Sequence, residues 1–307
     1  MCQLFLNFYR SFYLRTGGFI PCNPLNRAVY PGDFFQLRNG EITLLGNIFR
    51  NGIIIPKDAT LKYGIQLDPA AWRFNSGMTK RYTGYDSNNL PESEIVYNNQ
   101  VLKFAEKGSF GFKAHQPEAA RIMNWSELQQ QLIIKLTQTI YSFRELYVVT
   151  ETAAASDWVL AIAGSKKAEL EMSSEVEDIA FEDFFEHVSA KVVRMKDIDF
   201  FHHEKHRKPV FFKAKKLAVQ DERMEVFISE LIYQRMEWNH WISSFYSPDL
   251  YHDPLPAPHL PGHAPINVLD MLQCGELNPN TALQYFKWTD TTLDDVEQLF
   301  VNYGCEP

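Results

Sequence analysis

The sequence has little cysteine and no long apolar run. Its four cysteines, Cys2, Cys22, Cys274 and Cys305, include no pair with the C-x-x-C spacing of a zinc or redox site. Because thiols are so sparse, we expect a reducing compartment rather than a disulfide-forming one. No apolar stretch reaches the roughly 18–20 residues of a membrane-spanning helix, and the N-terminus does not have the pattern of a signal peptide. We therefore expect a protein that is made and kept in the cytoplasm.

Positive charge is in deficit, and the usual signatures of catalysis are missing. The formal net charge of -8 argues against a dedicated nucleic-acid binder, because phosphate binding needs a basic surface. The sequence contains no G-x-S-x-G elbow, no P-loop and no G-x-G-x-x-G loop. The histidine-rich segment His202–His206 departs from the zincin pattern, since Glu204 follows His203 but Arg207 stands four residues beyond that histidine. We expect an exposed polar turn there, with adventitious metal binding as the weaker alternative, and we expect no enzyme, no cofactor and no metal.

The sequence is instead rich in aromatic residues, with 23 Phe and 14 Tyr, which suit half-buried pleated surfaces. The stretch Asp33–Gly46 alternates around Asn39-Gly40, and this pattern predicts a β-hairpin. Asn124–Thr139 has a helical apolar stripe and is the best helix of the body, with Asn124 or Ser126 as its cap.

Two further hairpins are predicted in the second half of the body. Trp158–Ala163 and Ala168–Met172 bracket the turn-like Gly164–Lys167. Val188–Phe201 and Val210–Val219 bracket the polar segment His202–Pro209. Met224–Phe245, which follows, is predicted to be a helix.

The N-terminal segment Leu4–Leu14 predicts a helix with one aromatic stripe, because its large apolar residues recur at intervals of four. Two interpretations remain open. The helix either docks on the core or acts as an interfacial membrane anchor.

A proline-rich stretch divides the chain. Six prolines fall between Pro248 and Pro265, which predicts a semi-rigid linker at 248–265 between a body at 1–247 and a tail at 266–307. Three short helices are predicted in the tail, at Ile266–Leu272, Pro279–Trp288 and Thr291–Tyr303; Asn278 would cap the second, and Asp290 or Thr291 the third. The predicted fold class is α+β, with a twisted antiparallel sheet and flanking helices, followed by the linker and a small helical tail.

Two features suggest contact with a membrane. One is Cys2, which precedes the aromatic helix in the usual setting of S-acylation. The other is a basic block without an acidic residue, formed by Lys205, Arg207, Lys208, Lys213, Lys215 and Lys216. The block is interpreted either as an edge strand whose lysines discourage aggregation or as a contact with anionic lipid headgroups.

Three segments carry a resemblance to a known family. Glu145–Met172, which begins ELYVVTE, resembles the gasdermin pore-forming domain, in which a strand of the form LYVVTE leads into a hairpin. Glu204–Val219 is similar to the basic turn and returning strand of that family, and Pro31–Gly46 to an early hairpin of its bacterial branch. Cys2 matches the cysteine that is acylated in that branch. The resemblance extends discontinuously over roughly residues 2–228.

The resemblance implies an autoinhibited, non-enzymatic pore-former. A protease would cut the linker and release the tail as a cover, although the tail is longer than the inhibitory segment usual in the bacterial branch. Hairpins placed in Trp158–Met172 and Val188–Val219 would then insert into the inner membrane, many copies would close a ring, and the basic block would meet anionic headgroups. The implied setting is cell death or antiviral defence. The alternative is an intracellular binding or immunity-type protein that uses a β-rich platform and a helical tail.

Overall fold

The computed structural model describes residues 2–22, 24–38, 41–84, 97–139, 145–175, 191–220, 223, 226 and 279–300. Its α-helices are α1 (Cys2–Arg15), α2 (Trp125–Leu136), α3 (Pro279–Tyr285) and α4 (Leu293–Phe300). Its strands up to residue 122 are β1 (Ile20–Pro21), β2 (Asp33–Arg38), β3 (Glu41–Asn47), β4 (Leu61–Gln66), β5 (Arg73–Ser76), β6 (Met78–Gly84), β7 (Tyr97–Phe104), β8 (Phe110–His115) and β9 (Glu118–Ile122). The later strands are β10 (Leu146–Ala155), β11 (Asp157–Ala163), β12 (Glu169–Glu175), β13 (Lys191–Lys196), β14 (Ile198–Glu204), β15 (Lys208–Val219) and β16 (Phe286–Asp290). Antiparallel strands with a few helices confirm the α+β class.

The largest sheet is built around β10 and β15. Its main path runs β1-β15-β10-β2-β3, with β16 added beside β15, and with β9 and then β4 added beside β10. The predicted hairpin around Asn39-Gly40 is confirmed by the pairing of β2 with β3, in which Arg38 lies opposite Glu41. The long strand β10, which carries the LYVVTE motif, is buried along nearly its whole length.

Two smaller sheets share one strand order. The proximal sheet runs β14-β11-β8-β5, and the distal sheet runs β13-β12-β7-β6. Each proximal strand continues in the chain as its distal counterpart, so the two sheets are formed by the same four long strands, interrupted once each. These strands make up two long hairpins, β5–β8 and β11–β14.

This arrangement corrects two predicted hairpins. The segment Gly164–Lys167 is not a turn between paired strands. Strand β11 pairs with β8 and β14, strand β12 pairs with β7 and β13, and β11 does not pair with β12. The hairpin around His202–Pro209 is also wrong, because β14 pairs with β11 whereas β15 pairs with β10. Apolar runs on both sides of a polar, glycine-containing segment are typical of a turn and of a strand irregularity alike, and only the distant partners distinguish them.

Helix α1 belongs to the core. Its aromatic stripe is buried against the proximal strands and the large sheet: Leu4, Phe5, Phe8, Tyr9 and Phe12 are each at most 8% exposed. The Phe12 ring stacks on Phe211 at 5.0 Å between centroids and meets Trp72 edge-on at 5.3 Å. The docked interpretation of the helix is therefore confirmed for this conformation, in which the stripe is not available to lipid.

Helix α2 has the predicted stripe, with Leu128, Leu132, Ile133 and Leu136 buried. Asn124, one of the two predicted caps, makes no side-chain hydrogen bond to the backbone of the helix. Asn124 occupies the N-cap position, but its amide donates to the carbonyl of Asp58 and its oxygen accepts from the Thr60 N–H. The amide also donates to the Glu127 carboxylate at 3.0 Å, so the side chain ties the chain entering β4 to the first turn of the helix without capping a backbone N–H.

The described part of the tail contains a strand that the sequence pattern did not predict. The helix expected at Pro279–Trp288 ends at Tyr285, and Phe286–Asp290 pairs with β15 as β16. The free edge of β15 supplies the hydrogen bonds, and Phe286 and Trp288 alternate into the core. Helix α4 confirms the next predicted helix but begins after Thr292, whose hydroxyl accepts from the Asp295 N–H while Asp295 accepts from the Thr292 N–H. The linker 248–265, the predicted helix Ile266–Leu272 and, apart from Val226, the predicted helix Met224–Phe245 lie outside the described residues.

Candidate membrane-inserting hairpins and the covered basic strand

The distal sheet has two chemically different faces. Residues directly opposite each other in an antiparallel ladder point to the same face, and successive residues alternate between faces. One face, here called the charged face, carries Thr79, Arg81, Val101, Lys103, Glu169, Glu171, Arg194 and Lys196. The other, here called the apolar face, carries Met78, Gln100, Leu102, Phe104, Leu170, Met172, Val192 and Met195, with Lys80 as its charged member. The same four strands therefore separate charge from apolar surface across one sheet.

Opposite charges alternate across the charged face. Lys103 Nζ lies 2.8 Å from Glu169 Oε1, and the hydrogen bond from this lysine lowers the pKa of the Glu169 carboxyl. Glu171 lies between Val101 and Arg194 in the ladder. Apart from Val101 on β7, the listed residues of this face are therefore all polar at every second position, as a water-facing surface requires.

The centre of the apolar face is closed to solvent and its margin is open. Leu102 and Leu170 are 0% exposed, whereas Met195, which lies opposite Leu170 on β13, is 54% exposed. Strands β6 and β13 are the outer strands of the distal sheet, and no other strand in the described ranges pairs with their outer sides. In the part of the chain that the structure describes, no helix is both long and apolar enough to cross a bilayer.

The basic block lies mainly on β15, and its edge-strand interpretation is wrong. Strand β15 is flanked by β10 on one side and by β1 and β16 on the other. Five of the six cations form ion pairs within the chain: Arg207 with Glu118, Lys208 with Glu204 at 3.0 Å, Lys213 with Glu151 at 3.8 Å, Lys215 with Asp290 at 2.7 Å, and Lys216 with Asp295 at 2.5 Å. Lys205 is exposed and has no ion pair with any described residue. The block is therefore largely neutralised in this conformation.

The tail supplies two of these acids and covers the block from one side. Arg10 of α1 is bound to Glu297 at 2.6 Å, and the Tyr13 hydroxyl donates to the Thr291 carbonyl at 2.6 Å. Val296 of α4 is fully buried in the main core. The indole N–H of Trp288 donates to a backbone carbonyl of α2 at 2.9 Å. The tail thus contacts α1, α2 and β15 through strand pairing, apolar burial and charge.

Asp295 is the electrostatic centre of this docking. It accepts from Lys216 at 2.5 Å and from the Thr292 N–H and hydroxyl, both at 2.8 Å. Burial by itself raises the pKa of the Asp295 carboxyl, but these hydrogen bonds outweigh it and hold the pKa below its ordinary value. Since this pKa is lowered in the folded chain, the pair stabilises the docked tail above about pH 4, and that stability is lost as the pH falls through the folded pKa.

We expect Asp295→Asn to destabilise the folded protein by about 1–3 kcal/mol, because it leaves the Lys216 ammonium without its charged partner. The matched control is Asp290→Asn, which removes the tail carboxylate that pairs with Lys215. Its side chain is 84% exposed, so its loss is expected to cost at most about 1 kcal/mol. Denaturant unfolding followed by fluorescence measures both changes, and equal effects would contradict the assignment of Asp295 as the main charged contact.

The structure places the remaining predicted site residues differently. Cys2 is the first residue of α1, and its side chain is outside the described part. Burial raises the pKa of the Cys22 thiol, which lies in the core. The histidines are on or next to β14 rather than in one exposed turn: His203 Nε2 lies 2.8 Å from Asp157 Oδ1, and the His202 ring packs on Trp158 at 4.6 Å. No group of three or more potential metal ligands occurs among the described residues.

Comparison with solved structures finds a bacterial gasdermin from Bradyrhizobium tropiciagri, at 9% sequence identity and a TM-score of 0.26. The match covers 63% of this chain and 79% of that chain. That protein belongs to the family that the sequence resembles. A scan against models of known protein families finds no match. A search of curated proteins also finds none.

Sequence reasoning missed the two-faced distal sheet and the strand β16. Both left a signal. In β16, Phe286 and Trp288 alternate with Lys287 and Thr289, which is a strand period rather than a helical one. In β12, Leu170 and Met172 alternate with Glu169 and Glu171 in the same way.

Proposed function

We propose that this protein is an autoinhibited pore-former whose two long hairpins insert into a membrane after the tail is released. The observation that carries the proposal is the distal sheet, which places charged residues on one face and apolar residues on the other. Strands that cross a bilayer alternate in this way, with one face toward lipid and one toward water. A sheet of a soluble protein can also have one polar face, but here the apolar face extends to the exposed outer strand, at Met195.

The two outer strands support self-association. In lipid every backbone N–H and C=O must have a partner, so strands cross only when no edge is left open. Pairing β6 of one copy with β13 of the next would satisfy both edges. Repeated head to tail, this contact is heterologous and closes into a ring.

The tail would act as the cover. A cut in the linker 248–265 followed by release of residues 279–300 would remove Asp290 and Asp295 from Lys215 and Lys216. With Lys205, these lysines would be the unpaired cations of the block and could each meet an anionic headgroup, at about 1 kcal/mol per cation. The other cations of the block keep their partners, because Glu118, Glu151 and Glu204 belong to the body. The activating partner is a protease, the target is the inner membrane, and the role is cell death or defence. Acylation of Cys2 would add to membrane binding.

The test is release of a trapped dye from vesicles made with anionic lipid. We expect no release by the intact chain, and rapid release after a protease site engineered between Asp249 and Pro265 is cut and the tail removed. The control is the same engineered chain without protease. If the cut chain releases no dye, with or without anionic lipid, the pore-forming proposal is wrong, and the binding-protein alternative remains.

A further inference from the structure

All four long strands are interrupted at the same level, between the proximal and distal sheets. The outer strands each break at one residue, Gly77 between β5 and β6 and Asp197 between β13 and β14. The inner strands each break over five residues, 105–109 and 164–168. Every break contains one residue of positive φ: Gly77 at 65°, Gly108 at 79°, Lys167 at 65° and Asp197 at 56°. We call this line of breaks the seam.

The breaks form a connected line, held by backbone hydrogen bonds between neighbouring strands. The Ala105 N–H donates to the Gly77 carbonyl, the Gly108 N–H to the Ala163 carbonyl and the Gly164 N–H to the Asp197 carbonyl, at 2.8, 2.8 and 2.9 Å. A lysine and an aspartate in the left-handed region are strained relative to extended backbone. The seam is therefore an ordered, hydrogen-bonded structure that crosses both hairpins, and its positive-φ residues store backbone strain.

The pairing register on either side of the seam shows how many residues each strand has there. The two inner strands stay in step across it, since Asp157 lies opposite His115 and Glu169 opposite Lys103, twelve residues further along each strand. The outer strands do not stay in step. On the first hairpin Ser76 lies opposite Phe110 and Met78 opposite Phe104. Between these two pairs the ladder advances two residues along the outer strand and six along the inner one.

The second hairpin repeats the mismatch. From the pair Ala163–Ile198 to the pair Glu169–Lys196, the ladder advances two residues along the outer strand and six along the inner one, and a bulge at Asp199 lies just proximal to the first pair. Each inner strand therefore holds four surplus residues at the seam. Four is an even number, so taking the surplus into the ladder would return every side chain to its present face.

We propose that the seam is a reserve of strand length that is taken up when the hairpins insert. This inference rests on the proposed function. A strand that crosses a bilayer must be paired without interruption, because every backbone N–H and C=O needs a partner in lipid, and the seam interrupts all four strands. Four more residues add about 13 Å at roughly 3.3 Å each. During insertion the positive-φ residues become extended, the outer strands slide four residues along the inner ones, and the side chains now in the distal sheet keep their present faces.

Two engineered disulfides between the strands of the first hairpin test the slide. Arg73 lies opposite Lys113 on the proximal side of the seam, and Arg81 lies opposite Val101 on the distal side. Facing residues of a ladder have Cα atoms about 4.5–5.5 Å apart, within the range of a disulfide. Either bond alone fixes the register on one side and leaves the other side free to slide. Both bonds together fix the two registers and keep the surplus at the seam.

The readout is dye release by the tail-cleaved chain, with each designed bond confirmed by peptide mapping. We expect the two oxidised single-bond chains to release dye like the wild type. The oxidised double-bond chain should release it at least tenfold more slowly and recover when reduced, which also shows that it is folded. Undiminished release by the oxidised double-bond chain, or a block by either single bond, would overturn the seam proposal. If the wild type itself releases no dye, the proposed function fails, and the seam proposal falls with it.

Discussion

Tail-cleaved Met195→Arg protein is expected to release dye from vesicles at least tenfold more slowly than the tail-cleaved wild type. Met195 is 54% exposed in the described fold, so arginine there should change the free energy of unfolding by no more than about 0.5 kcal/mol. In the inserted sheet the same position faces lipid, where arginine costs about 2–4 kcal/mol near the bilayer midplane. The cost recurs in every copy of the ring. Initial release rates at equal protein concentration measure the effect.

The matched control is Val101→Arg, which introduces the same side chain on the opposite face of the same sheet. Val101 lies between Arg81 and Glu171 on the charged face, so an arginine there would face water in the inserted state. Its release rate is expected to stay within about twofold of the wild type, and unfolding curves show whether both variants are folded. Equal loss in both variants would mean that the faces of the distal sheet do not separate lipid from water.

Phe12→Ala is expected to destabilise the folded chain by about 3–5 kcal/mol, since it removes a fully buried ring from the centre of the core. The lost contacts include Phe112 at 5.2 Å and Phe211 at 5.0 Å. The control is Leu14→Ala on the same helix, where the side chain is 66% exposed and the change should be within about 0.5 kcal/mol. Denaturant unfolding measures both.

A small effect of Phe12→Ala would revive the interpretation of α1 as a membrane anchor. If α1 is a membrane anchor, its aromatic stripe contributes little to the stability of the soluble fold. If α1 is a core helix, burial of the stripe contributes its full share. The two interpretations therefore differ by several kcal/mol in one measurement.

Local pattern predicted the elements whose partners are close in sequence. Asn39-Gly40 forces a two-residue turn, and the period of four along α1 and α2 aligns one apolar stripe on each helix. The fold class followed from such elements. The path of the long hairpins could not be predicted from local pattern, because the five-residue irregularity at 164–168 has the same composition as a turn. What makes it an irregularity is the pairing of β11 and β12 with strands far away in sequence, and this depends on the whole sheet.

The same limit applies to the candidate site. The sequence showed a block of cations with no acidic residue among them, which suggested a free basic surface. Only Glu204, which directly precedes the block and pairs with Lys208, is local; the other acids come from elsewhere in the chain, with Glu118 from β9, Glu151 from β10, and Asp290 and Asp295 from the tail. Strand β16 was hidden for a related reason, since Pro279 and the residues after it favour a helix start while the open edge of β15 recruits Phe286–Asp290 as a strand.

Insertion of the distal sheet is tested most directly by an environment-sensitive fluorophore attached through cysteine at position 195 or 196. Met195 is on the apolar face and Lys196 on the charged face, one residue apart on β13. After cleavage and addition of vesicles, a probe at 195 should shift to the blue and be quenched by lipid-borne quenchers, while a probe at 196 should remain accessible to aqueous quenchers. If both probes stay in water, or both enter lipid alike, the hairpins do not insert as a two-faced sheet.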